Sequence, residues 1–220
     1  MPENTQSQGG HHLDVLKEIG TMGAGRAATA LSEMISAEVT ISVPDAQLIR
    51  SEDFSKTIAR PNEAYLVLVI MLEGELGGRV FFMVSPSEAR LLGSLLLGMP
   101  PEQVNFEDPL FQSSIKEALN IIVGAYMMAL SELTGFEIMF SIPYLAMDIL
   151  TAVFIADQTP QKSEELIYIK TELTVKGHNF GGSFVFFPDI PSIKKILNAL
   201  GMEVPKALQE KLSKDEKPNG

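Results

Sequence analysis

Cysteine and tryptophan are absent from this 220-residue chain, and histidine occurs only three times. Without cysteine there is no disulfide, no thiolate metal site and no cysteine nucleophile. Basic residues are scarce too: 17 Lys+Arg against 28 Asp+Glu leave a formal net charge of −11. That balance repels phosphate backbones and anionic headgroups, so neither a nucleic-acid partner nor membrane insertion is expected. Long apolar runs are missing as well, and a stretch such as Tyr65–Leu72 falls far short of a spanning helix. Residues 1–10 are polar and lack the basic start and apolar run of a signal peptide. A cytoplasmic, globular protein is expected.

With 45% hydrophobic and 20% charged residues, most of the chain must fold. Residues 1–10 read as a flexible lead-in and 206–220 as a charged flexible tail. Between them lies an internal repeat at an offset of 99 residues. Asp14–Pro44 aligns with Ser113–Pro143, and ten of the 31 paired positions are identical, among them Lys17/Lys116, Gly25/Gly124, Leu31/Leu130 and Pro44/Pro143. The likeness continues in weaker form, from Gly77-Gly78 into a Ser-Pro-Ser helix start and from Gly181-Gly182 into an Ile-Pro-Ser one. Residues 11–205 are therefore expected to form one domain of two repeated halves, 11–108 and 109–205.

Each half reads as a long helix, several strands and a shorter helix. Strands are expected at Glu38–Val43, Tyr65–Leu72, Arg79–Val84, Glu137–Ile142, Ile149–Ala156, Leu166–Val175 and Ser183–Phe187. Two hairpins are implied, one across the turn before Arg79 and one across Lys176-Gly177-His178-Asn179. The fold class that follows is α+β: a pseudo-two-fold duplication with a largely antiparallel sheet carrying two long and two shorter helices. Strand order is not readable from these signals.

At about 100° per residue, with Ser113 as zero, Glu117 falls near 40°, Asn120 near −20° and Gly124 near 20°. Ile115, Leu119, Ile122, Tyr126, Leu130 and Leu133 fall on the opposite, core side. The first helix repeats the layout, with Asp14, Glu18, Thr21 and Gly25 outward and Leu16, Gly23, Ala27, Leu31 and Met34 inward. A Glu and an amide three residues apart stand side by side on a helix and can face one partner. Gly124, Ala125 and Met127 are expected to give a low or deformable rim beside that ridge. Gly20, Gly23 and Gly25 must be offset by close contacts, since each interior helical glycine costs up to about 1 kcal/mol. Gly23 is expected to let its helix approach the sheet.

Other constellations are weaker. Gly20–Arg26 lacks the Gly-Lys-Ser/Thr of a phosphate loop and continues a helix instead of following a strand. His11 and His12 read as solvated rather than as metal ligands, and His178 stands in a turn. No serine sits in a Gly-x-Ser-x-Gly elbow.

The two ridges resemble the CheC/CheX/FliY family of response-regulator phosphatases. The family motif runs Asp or Ser, three residues, Glu, two residues, Asn, 22 residues, Pro. Ser113, Glu117, Asn120 and Pro143 satisfy every position; Asp14, Glu18, Thr21 and Pro44 satisfy all but the asparagine. Two copies in one chain resemble the CheC branch more than the one-site CheX, over roughly residues 12–202. The resemblance implies dephosphorylation of the aspartyl phosphate of a CheY-type receiver, which brings its own Mg²⁺; no metal or cofactor of this chain is implied. It implies catalytic roles for Glu117 and Asn120, a degenerate second site at Glu18 and Thr21, and docking or capping by Ser113 and Asp14. Pro44 and Pro143 are expected to shape the chain after the strand. CheD and the flagellar switch are implied as further partners, and the alternative reading is a non-catalytic adaptor that binds a receiver, CheD or the switch.

Overall fold

The computed structural model describes residues 5–50, 53, 63–149, 165–175 and 177–204. The elements are α1 (Thr5–Ile35), β1 (Val39–Arg50), β2 (Ala64–Gly74), β3 (Gly78–Val84), α2 (Pro86–Leu97), α3 (Pro109–Thr134), β4 (Ile138–Phe140), β5 (Tyr144–Ile149), β6 (Glu165–Val175), β7 (His178–Pro188) and α4 (Ile190–Ala199). The α+β expectation holds: these strands form one sheet in which every pairing is antiparallel.

The strand order β1–β6–β7–β3–β2–β4, with β5 also on β2, gives the sheet its symmetry. If β2 matches β6, β3 matches β7 and β1 matches β4 plus β5, the order reads the same from either edge. Its centre is the β3–β7 pairing, where Phe81 lies opposite Val185, its own counterpart in the Gly-Gly alignment. The first strand of each repeat leaves its own half. β1 pairs with β6 of the second half, and β4 and β5 pair with β2 of the first. The repeats are thus interlaced.

Both prolines of the repeat mark the same irregularity. β1 slips register between Ser42 and Asp45, which brackets Pro44. The matching Pro143 lies in the break between β4 and β5. A proline cannot donate to the ladder, so it is tolerated where pairing is already interrupted. Beside Pro143, the Ser141 amide donates to the Met71 carbonyl (2.9 Å) and the Met71 amide donates to the Ser141 hydroxyl (3.0 Å). Pro44 therefore sits within a strand and not after one.

Alternate residues of β2 and β3 face opposite sides. Leu66, Leu68, Ile70, Val80, Phe82 and Val84 join the four helices in the main core, while Val67, Val69, Phe81 and Met83 join Tyr168, Val185 and Phe187 in a second cluster. Burial on both faces accounts for the unbroken apolar runs of these strands. Helix ends follow sequence rules. Asp108 caps α3 by accepting from the Leu110 amide (2.8 Å), Pro109 opens its first turn, and Gly135 closes it in the left-handed region at φ 76°.

Several expectations need correction. α1 begins at Thr5, inside the anticipated lead-in, because extending an existing helix by a turn costs far less than nucleating one. The strand expected at Glu137–Ile142 covers Ile138–Phe140 only, and Tyr144–Ile149 is a strand that periodicity missed. Most of the strand expected at Ile149–Ala156 lies outside the described residues, as does the tail at 206–220. His178 opens β7 in register with Val175, so it belongs to the strand and not to the turn.

Candidate functional site

Tyr126 sets the roll of α3. Its hydroxyl lies 2.7 Å from the Thr171 hydroxyl of β6, both groups being buried. Its ring meets Phe184 of β7 edge-on at 5.1 Å between centroids. Burial raises the phenol pKa to about 12, and the Thr171 hydrogen bond only partly offsets this. On its other side Tyr126 meets α1 at Gly23, where an added Cβ would lie 2.8 Å from the Tyr126 Cα and would overlap the ring. Gly23 is thus the crossing point of α1 and α3, not the seat of a helix on the sheet; Gly20 takes that role against Val43 and Ile169.

With Tyr126, Ile115, Leu119, Ile122 and Leu130 buried, the opposite ridge of α3 is turned outward. Ser113 and Glu117 are exposed and Asn120 is half-buried. On α1, Asp14, Glu18 and Thr21 are all exposed. No side-chain hydrogen bond or ion pair among the described residues ties down Glu117, Asn120, Glu18 or Thr21. Each helix therefore offers its own set of unengaged polar groups to solvent. An Arg26–Glu132 ion pair of 2.5 Å also bridges α1 and α3.

The rim beside Asn120 differs from expectation. Ala125 and Met127 are buried in the main core, so they cannot form it. Gly25 and Gly124, one turn beyond Thr21 and Asn120, have nothing within 4 Å of an added Cβ. Met34, expected inward, is 37% exposed, and Ile35 is buried in its place. The buried stripe of α1 drifts around the helix along its length, as it must where one helix leans across another.

Two exposed residues of this surface escaped the helical wheel: Leu110 (60%) and Met128 (54%), both on α3. Carrying the offset of 99 to these positions, the first copy has His11 and Thr29 there.

A cleft of about 930 Å³ opens elsewhere, between the start of α2 and strands β1 and β6, and contains no ridge residue. Of its polar groups, Glu88 ties the start of α2 to β7. Glu88 accepts from the Ser85 and Gly181 amides (2.9 and 2.8 Å), and Lys170 pairs with Glu172 at 2.9 Å. Among the described residues no group of three or more His, Asp or Glu side chains is arranged to hold a metal. None of their helices is long and apolar enough to cross a membrane.

Comparison with known proteins points to the same family resemblance. The model of the CheC-like family matches residues 12–47, the segment that holds the first ridge and Pro44. The CheY-P phosphatase CheC of Bacillus subtilis (strain 168) is 27% identical over 195 residues, covering 86% of this chain and 93% of that protein. The flagellar motor switch phosphatase FliY of the same organism is 25% identical over 166 residues, 74% of this chain and 42% of FliY. The crystal structure of Thermotoga maritima FliY shares the fold, with a TM-score of 0.68 at 20% identity over 91% of this chain and 98% of that one.

Proposed function

Taking the chain as CheC-like, we propose that it is a chemotaxis phosphatase that hydrolyses the aspartyl phosphate of a CheY-type receiver, working through α3. The observation that carries this reading is the complete Ser113–Glu117–Asn120 set on an outward ridge whose Glu and Asn side chains have no other engagement. The similarity to a phosphatase over most of both chains supports it.

The partner supplies the acyl phosphate and the Mg²⁺ that neutralises its oxygens. Asn120 enters the receiver's site, where its carboxamide holds a water in line with phosphorus. Glu117 pairs with a cationic side chain of the receiver and fixes the register. Water attacks, the bond between phosphorus and the carboxylate oxygen breaks, and aspartate and inorganic phosphate are released. Acyl phosphates are labile, so a hundredfold acceleration requires only about 2.7 kcal/mol. One oriented water, in a site that the docked helix closes to solvent, supplies that much. Ser113 and Asp14 contribute to docking.

The α1 surface is the weaker site. Threonine places its hydroxyl on Cβ, short of the reach of an asparagine carboxamide, and its β-branch restricts χ1. Glu18 still offers a docking carboxylate. CheD and the flagellar switch are further candidate partners.

The test is the decay of a phosphorylated CheY-type receiver. Asn120→Ala should lower the accelerated rate by about tenfold or more, Thr21→Ala by less than about twofold, and Thr21→Asn should raise it. Loss on changing Thr21 alone refutes the division of labour. A wild-type protein that binds the receiver without speeding its decay is the adaptor and not the enzyme.

A further inference from the structure

A single exposed apolar residue on a helix is ordinary, but two on one face that flank the unengaged Glu117–Asn120 pair, with no counterpart in the other copy, form a pattern that calls for a physical reason. Leu110 and Met128 are such residues, at 60% and 54% exposure. They stand 18 residues apart, which is five helical turns, so both fall at about 60° on the wheel beside Glu117 at about 40°. Their separation along α3 is roughly 27 Å, about the width of a small domain. Between them lie Ser113, Glu117, Asn120 and the open Gly124.

The first copy has the same ridge without the brackets. His11 and Thr29 occupy the matching positions, and the Thr29 hydroxyl donates to the Gly25 carbonyl of its own helix (3.1 Å). The copy that retains the asparagine therefore also has the two exposed apolar groups, and the copy that lost it has neither.

We propose that Leu110 and Met128 are apolar anchors that seat the phosphorylated receiver on α3, one on each side of its phosphoryl pocket, and so direct it to the second helix. This rests on the phosphatase reading above and names how that site takes its partner. The argument for this occupant is continuity: the anchors and the Glu117–Asn120 pair share one helical face, spanned by a single small domain. Methionine suits such a seat, since its flexible thioether moulds to a partner surface.

The test uses the full chain and a CheY-type receiver held phosphorylated by acetyl phosphate and Mg²⁺. Leu110→His and Met128→Thr install the residues of the first copy. Each should raise KM by about tenfold, with kcat changed less than about twofold and the thermal melt lowered by no more than about 2 °C; the double variant should raise KM further. An unchanged KM in the double variant beside an active wild type overturns the inference and leaves the phosphatase reading intact. If the wild type binds without hydrolysis, that reading fails, and the anchors are then judged by the receiver Kd, which the double variant must weaken. A wild type that neither binds nor hydrolyses overturns both.

Discussion

Gly23 and Gly124 are both interior helical glycines, yet the same substitution should move stability in opposite directions. At Gly23 an alanine Cβ would lie 2.8 Å from the Tyr126 Cα, a backbone atom that cannot swing aside. The ring it overlaps is pinned by the Thr171 hydroxyl and by Phe184. Relief must come from parting α1 and α3. Overpacking of this kind costs about 1–3 kcal/mol, and a lost Tyr126–Thr171 hydrogen bond adds about 1. Against that, alanine regains roughly 0.5–1 kcal/mol of helix propensity. The net loss should be about 1–3 kcal/mol, or a Tm lower by roughly 3–10 °C for a chain of this size. Gly124 has open space around it, so Gly124→Ala keeps only the propensity gain and Tm should rise by about 1–4 °C. The same methyl stands where a receiver would lie against the helix, so phosphatase activity should fall as stability rises. Calorimetric melts of both variants and the receiver decay assay read out all three signs. A neutral Gly23→Ala would refute the helix crossing, and a Gly124→Ala with full activity would refute a close approach at that turn.

Two further predictions concern the framework that holds α3. Tyr126 has its pKa raised by burial to about 12 in the folded protein, against an ordinary value of 10.0. Its contribution is complete below pH 10 and is lost as pH rises through 12, a span worth about 2.7 kcal/mol at most. Urea unfolding between pH 8 and 11.5 should show that decline, and Tyr126→Phe should flatten it while lowering stability near neutrality by about 1–2 kcal/mol, because the Thr171 hydroxyl is left unpaired; an unchanged slope refutes the assignment. A chain ending at residue 108 has β2 without its β4 and β5 partners and β1 without β6. It should not fold as a monomer, and a monomeric fragment with a cooperative melt would show that the interlacing is dispensable.

How much of this was legible beforehand follows from where each signal resides. The helices, the Ser-Pro-Ser start of α2 and the buried positions Leu16, Ala27, Leu31, Leu119 and Tyr126 follow from local signals, and the structure places those positions in the core. Met34, Ala125 and Met127 were misjudged because a wheel knows the helix axis but not which flank a neighbouring helix covers. Tyr144–Ile149 was missed because an edge strand, with Tyr144 and Met147 half in water, lacks the burial that creates alternation. The exchange of first strands between the repeats leaves no local trace at all, since β1 meets β6 only after more than a hundred intervening residues.

The ridge was legible for the opposite reason. Residues that nothing in the fold requires keep a pattern that the fold did not impose, and in a duplicated chain each copy serves as the reference for the other. Where the copies agree in burial, as at Leu31 and Leu130, packing is the sufficient cause. Where they agree in solvent, as at Glu18 and Glu117, or disagree there, as at Thr21 and Asn120 and again at Thr29 and Met128, packing has nothing to say. The differences at Thr21/Asn120 and Thr29/Met128 fall on one face of α3, and a cause outside the chain, a partner that visits α3 in preference to α1, accounts for these together.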